Sequence, residues 1–154
     1  LSDYSLAAME PAASFGLLYA SQLLLLHVVD PGHHHGSHRR GHEAERKNEL
    51  MQVLANAQKD LDEFVAGNVN PDIKLSRVVR FGSAADEILR FAEQEGVDLI
   101  VVATHGRTGL KHMLMGSVAE TIVRRSNIPV LTVKPHSMRE YILEEDIENE
   151  LHLR

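Results

Sequence analysis

The sequence predicts an α/β protein, a doubly wound parallel sheet with helices on both faces. Three observations carry this expectation. Strand and helix signals alternate along the chain from Ser2 to Val133. The runs at 23–29 and 97–103 are short and almost continuously apolar, as strands buried on both faces are. The second run ends abruptly in a polar loop broken by Gly106, Gly109 and Gly116. That puts a glycine-rich loop at the carboxyl end of a strand, where ligands of such sheets bind.

The elements follow in order. Residues 2–19 read as a helix with Ser2 as N-cap, and Pro11 is expected to kink or interrupt it because proline removes an N–H and clashes with the preceding turn. Leu23 to Val29 is a buried strand, and 31–41 is a loop. Residues 42–65 are helical, since Leu50, Leu54, Leu61 and Phe64 recur at helical spacing among charged residues. Residues 73–81 alternate and read as a strand. Ser83 opens a helix that closes at Gly96, a residue suited to a helix C-terminus. Residues 97–103 form the next strand, 117–126 a helix and 129–133 the last strand. Beyond Pro135, Ile142, Leu143, Ile147 and Leu151 make a partial apolar stripe on an acidic helix. The chain therefore divides into a domain at 1–135 and a helical extension at 136–154. That extension either packs on its own domain or crosses to a partner.

The segment DLIVVATHGRTGLKHMLMGS, residues 98–117, carries the chemistry. Glycines let backbone N–H groups approach a ligand closely, and a helix start presents unpaired N–H groups with positive dipole character. His105, Arg107, Lys111 and Ser117 suit a phosphate. The alternative is an ordinary strand-to-helix turn, with glycine for tightness and Ser117 as a helix cap. Lys111 lacks a Gly-Lys-Ser/Thr context, which argues against an efficient P-loop ATPase. No pair of carboxylates and no Ser–His–Asp set stands near the glycines, so no catalytic residue is assigned. His27 reads as a satisfied core histidine, and Asp30 as either a ribose ligand or a loop cap. His33, His34, His35, His38 and His42 cluster in a glycine-containing loop that would hold a metal poorly, so no metal site is assigned. A further reading lays this loop over a nucleotide, with Arg39 and Arg40 reaching phosphate.

Composition narrows the classes. The 154 residues are 44% apolar and 25% charged, ordinary values for one folded domain. A net charge of −6 disfavours nucleic acid and anionic membranes as partners. No apolar run is long enough to cross a membrane, and the opening residues lack a signal-peptide pattern. The absence of cysteine excludes disulfides and thiol chemistry and fits the cytoplasm.

Ala103, then Gly106, then Gly116-Ser117 after nine residues resembles the ATP-binding signature of the universal stress proteins, Gly-x2-Gly-x9-Gly-Ser/Thr. Ala103 stands where the signature has its first glycine. The segments LLLLHVVDP, RFGSAADEILRFAEQEGVDLIVVATHG and GSVAETIVRRSNIPVLTVKP resemble the same family in the same order, covering about residues 1–135. The resemblance implies a five-stranded sheet of the adenine nucleotide alpha hydrolase type. Its first strand would lie ahead of Leu1, at the centre of the sheet, and end in an aspartate that helps hold the nucleotide. It implies ATP, with or without Mg, as ligand. The adenine would lie near Val28 and Val102, and the phosphates against Ala103, Gly106, Gly116, Ser117 and Val118, with Thr104, His105 and Arg107 completing the set. It also implies a homodimer through the last strand, where Val130 shares a face with Thr132 and is expected outside the deep core. The function so implied is nucleotide-dependent regulation in the stress response, with slow hydrolysis at most. The alternatives are a dimeric interaction module that has lost its ligand and a slow nucleotide hydrolase. Co-purified ATP separates the first pair, and multiple-turnover phosphate release identifies the third.

Overall fold

The computed structural model describes residues 3–30, 43–104 and 115–134. The histidine cluster, the loop residues His105, Gly106 and Arg107, and the extension at 136–154 lie outside the described residues. The element order is α1 (Asp3–Leu18), β1 (Leu23–Val29), α2 (Glu43–Asn68), β2 (Leu75–Phe81), α3 (Ala84–Glu95), β3 (Ile100–Ala103), α4 (Ser117–Arg125) and β4 (Val130–Val133). The class is α/β with parallel strands, as the alternation predicts.

The strands form two parallel pairs. β1 lies beside β2, from Leu23 opposite Leu75 to Val29 opposite Phe81. β3 lies beside β4, from Ile100 opposite Val130 to Ala103 opposite Val133. Each pair is a separate two-stranded sheet, so among the described residues no ladder joins β1 to β3. The two strands instead face each other across a cavity lined by Leu24–Val28 on one wall and Leu99–Thr104 on the other. A second cavity brings Leu23 together with Asp98 and Leu99, so the two strands start at the same end and run the same way. The chain moves from β1 to β2 in one direction and from β3 to β4 in the other. Right-handed crossovers then place α2 and α4 on opposite faces. α3 packs beside α4.

Several boundaries move for identifiable reasons. α1 is continuous through Pro11, which forfeits one helix hydrogen bond without ending the helix. Its packing against β3, with Met9 buried, supplies the compensation. β2 begins at Leu75 because the chain is still turning before it: the Ile73 amide donates to the Asn70 carbonyl, and the Asp72 amide to the Asn70 side chain. α3 ends in a Schellman motif. Gly96 adopts φ 62°, its amide donates to Glu93 and the Val97 amide to Ala92. This turn consumes the residues expected to start β3, which is shorter than its apolar run. α2 continues past Val65 to Asn68, whose side-chain amide donates to the Phe64 carbonyl.

Two groups of residues form the interior. Leu61, Ala57 and Val65 of α2 are buried, as are Val29 and Ile73. Around β3, Ala85, Ala92, Ile100 and Ile122 form a buried cluster, with Ile88, Leu89, Val97, Val102, Ile128 and Val130 packed on it. Val130 therefore supports the core, contrary to the expectation from its shared face with Thr132. The face is covered by α3 and α4, so a threonine on it does not mark it as exposed. An exposed pair, Arg77 Nη1 to Asp62 Oδ1 at 2.8 Å, ties β2 to α2.

Ile122 is fully buried and α4 is short, so its side chain is the principal anchor of that helix. Ile122→Ala should lower unfolding stability by about 2–5 kcal/mol, the usual cost of emptying such a site. Urea denaturation followed by circular dichroism measures it, and a loss well under that range contradicts the anchoring role.

Candidate functional site

The site is built where β3 gives way to α4. The Thr104 amide donates to the Val133 carbonyl at 2.9 Å, extending the β3–β4 ladder by one step. The Thr104 carbonyl then accepts the Gly116 amide at 2.6 Å. Strand end and helix start are thereby joined directly, and Thr104 is 2% exposed. Gly116, not Ser117, is the N-cap, with φ −73° and ψ 154°. Ser117 is the first helical residue and is exposed, so its expected capping role passes to the preceding backbone. The first bond to a helical carbonyl runs from Glu120 to Gly116. The amides of Ser117, Val118 and Ala119 thus have no partner within the helix, and the helix dipole favours negative charge beside them.

A cavity of about 450 Å³ opens here. Val28, Val102, Ala103, Thr104, Gly116, Ser117 and Val118 all line it. These are the members of the sequence-predicted set that fall among the described residues. His105, Gly106 and Arg107 lie outside the described residues. Val28 and Val102 are half-buried on facing strands. Ala103 closes β3 in ordinary extended pairing, and Ala20 is the one non-glycine with positive φ among the described residues. Alanine at the signature's first glycine position is thus free of backbone strain.

The sequence reading missed much of the cavity's depth. Ser5 and Ala8 of α1 and Ala84, Ile88, Phe91 and Ala92 of α3 also line it. The spacing of Ile88, Phe91 and Ala92, one helical turn on one face, is the signal that could have found the α3 wall. Arg80, opposite Val28 in the β1–β2 register, places its guanidinium 5.4 Å from the centre of the Phe91 ring. Its buried Nε has no hydrogen-bond partner, and the aromatic face supplies part of the lost stabilisation.

Among the described lining residues the titratable side chain is His27, which also has an interaction partner. An apolar cleft with amides left unbonded within the helix at one end can hold a flat apolar group and an anionic tail. Among the described residues no group of three or more His, Asp or Glu is placed to hold a metal ion.

The sequence profile of the Universal stress protein family matches residues 1–134. The chain belongs to the universal stress protein family. Universal stress protein MJ0577 of Methanocaldococcus jannaschii is 32% identical over 146 residues, covering 86% of this chain and 89% of that protein. The solved structure of MJ0577 superposes with a TM-score of 0.64 at 34% identity, covering 82% of this chain and 85% of that one. A universal stress protein solved in complex with cAMP shares the fold, with a TM-score of 0.54 at 23% identity over 87% of this chain and 90% of that chain. So does the Archaeoglobus fulgidus universal stress protein solved in complex with dAMP, with a TM-score of 0.51 at 20% identity over 87% and 90%. No helix among the described residues is long and apolar enough to cross a membrane.

In this universal stress protein an exposed ion pair holds α4 to α3. Arg125 Nη1 lies 2.7 Å from Asp86 Oδ1. Hydrogen bonds from Arg125, then from Ser83, hold the Asp86 carboxyl below its ordinary value of 3.8. Because the folded value is depressed, the pair's contribution is present above about pH 3.8 and is lost as pH falls through the lower folded value. Carboxyl-carbon NMR titration should place the Asp86 midpoint below 3.8, and Arg125→Ala should move it back upward. A midpoint unmoved by Arg125→Ala removes the pair as the cause.

Proposed function

We propose that this universal stress protein binds an adenine nucleotide, ATP, in the cavity at the carboxyl ends of β1 and β3. It then acts as a nucleotide-dependent regulator in the stress response, in the cytoplasm. One observation carries the reading: every described member of the set Val28, Val102, Ala103, Thr104, Gly116, Ser117 and Val118 lines one cavity. The base lies between the valines, and the phosphates lie against the amides that open α4. His105, Gly106 and Arg107 complete the phosphate end of this reading. The cAMP and dAMP complexes belong to proteins that share the fold, so the nucleotide reading rests on this chain's own cleft. The reading includes one five-stranded sheet, with a strand between β1 and β3. Binding, not turnover, is the proposed role.

Gly116→Val tests the ligand. Its backbone angles suit any residue, and the substitution places a branched side chain where phosphate approaches. ATP affinity measured by calorimetry should fall at least about tenfold, or ~1.4 kcal/mol. Unchanged affinity in a folded variant defeats the site assignment. If the wild-type protein binds no ATP, the ligand-free interaction module takes its place, and multiple-turnover phosphate release would favour a hydrolase.

The proposal includes a homodimer through the outer edge of β4. The Ile100 and Thr104 amides donate to Pro129 and Val133, so odd-numbered positions of β4 face β3 and Val130 and Thr132 turn their backbone groups outward. Because Val130 also packs on the core, it is a poor probe. Thr132→Pro removes an outward N–H without touching the β3 ladder. Light scattering at micromolar concentration should report a dimer for the wild type and a monomer for Thr132→Pro. A monomeric wild type, or a dimeric folded variant, counts against this edge.

A further inference from the structure

The β3–β4 pair is covered unequally on its two faces. Ile100, Val102 and Val130 turn to α3 and α4, where they pack with Ala92 and Ile122. Side chains alternate along a strand, so Val101, Leu131 and Val133 turn to the opposite face. The helix packed on that face is α1, which lies against both β3 and β4. Leu131 and Val133 remain only half-buried. β4 has β3 on one side and, among the described residues, no strand on the other.

α1 supplies a second apolar wall. A Cβ added at Gly16 would meet Ile73 and Leu23, so that side of α1 looks toward β1. Leu18 is two residues on, about 200° around the helix at ~3.6 residues per turn, and looks the other way, toward β4. Ala7 and Pro11 share its flank, since steps of four and seven residues return to one side of a helix. Leu18 is 77% exposed. Leu17 and Tyr19 beside it are exposed as well, so apolar surface is concentrated at this end of α1 rather than scattered. Ser5 and Ala8 line the cavity that reaches Thr104, whereas Ala12 and Phe15 line the one that reaches Asp98. α1 therefore runs opposite to β3 and β4, with Ala7 toward Val133 and Leu18 toward Val130. The α1 flank and the open face of β4 are the two walls of an apolar groove along the edge of the sheet.

We propose that this groove is the docking site of the chain's own segment 139–151, packed as an amphipathic helix beside α1. Leu143, Ile147 and Leu151 stand at steps of four and make one apolar stripe, which turns into the groove. Continuity of the chain places it there. Lys134 and Pro135 follow Val133 directly, at the end of the groove marked by Ala7, and 136–142 give the chain room to turn back. The segment then runs opposite to β4 and the same way as α1. Lengths agree: the stripe spans about 12 Å at ~1.5 Å per helical residue, and β4 about 10 Å at ~3.3 Å per residue. The walls are too small to hold a second copy by themselves, because a stable interface takes roughly 800 Å² from each partner. A tethered segment needs far less, since its effective concentration is of millimolar order whatever the protein concentration. The docked segment covers side chains on one face of β4 and leaves the outward backbone groups of Val130 and Thr132 open. It is independent of the nucleotide reading.

The sequence has no cysteine, so a nitroxide spin label can be directed to a single introduced one. Ser14→Cys puts the label on the exposed rim of the α1 flank, and Arg124→Cys puts it on α4, across the sheet, as the control. NMR reads the methyl signals of Leu143, Ile147 and Leu151 in the full chain. The labelled, isotope-enriched chain is diluted into an excess of unmodified chain, so that only contacts within one chain are seen. The Ser14 label should broaden all three signals, and the Arg124 label none. Leu18→Glu changes an exposed groove residue, and Ile147→Glu changes the segment and leaves the domain as it is. Each should restore sharp signals at the remaining methyls, and amides 143–151 should exchange at least about tenfold faster in either variant than in the unsubstituted chain. Absence of broadening from Ser14, equal broadening from Arg124, or broadening that persists in either variant overturns the docking site. In a second sample the label and the isotope sit on different chains. Broadening found only there places the segment on another copy and overturns docking within the chain.

Discussion

The hydrogen bond from the Gly116 amide to the Thr104 carbonyl is the constraint on which the site depends. It brings the end of β3 and the start of α4 to within 2.6 Å, whatever path the intervening loop takes. Thr104 is fixed in turn by its bond to Val133, so helix start, strand end and neighbouring strand share one backbone chain of bonds. Ala119 and Ile122, buried one turn apart on α4, hold the helix down on the same core. The first-turn amides, which have no partner within the helix, therefore start from a fixed place.

Legibility in the sequence follows from how local each determinant is. The end of α3 was readable from Gly96 alone, because only a residue tolerant of φ 62° closes a Schellman turn cheaply. The apolar runs gave β1 and β3, and the period of Leu54, Leu61 and Phe64 gave α2. The start of β3 was misread because Val97 is apolar for a second reason: it packs beside Ala92 as the residue after the cap. The helix runs on through Pro11, rather than being interrupted there, because the packing of α1 on β3 outweighs a local penalty. The cavity's mouth was legible from the glycine pattern and the resemblance it carries. Its α3 wall was not, because bringing Ile88 and Phe91 to the same cavity as Val28 depends on a crossover that no short motif encodes. Arg80 was overlooked for a related reason. Its meaning comes from the β1–β2 register, and a lone arginine beside a phenylalanine in sequence gives no register.

The two strand pairs differ in how they are held. β1 and β2 pair over seven residues and lean on the long helix α2, with Leu61 fully buried beneath them. β3 and β4 pair over four residues and take most of their support from side chains of α3 and α4. The first half is secured mainly by ladder length and the second mainly by packing. The candidate site lies between them, and the short half carries the helix start and the strand end. Residue changes in the β3–α4 half therefore act on site and stability together, whereas changes on the outer side of α2 leave the site untouched.

The Asp86–Arg125 pair has a consequence of another kind. It spans α3 and α4 on the surface, with about half of each side chain exposed: 45% for Asp86 and 58% for Arg125. An exposed pair weakens as dissolved ions accumulate around it, with a screening length of roughly 8 Å at physiological ionic strength. The apolar contacts of Ile122 do not weaken in this way. At low ionic strength the pair adds to the contact between α3 and α4. At high ionic strength their buried face carries most of the contact. The share of the α3–α4 contact that the ion pair carries therefore declines as salt rises, while the share carried by the buried Ala119 and Ile122 does not.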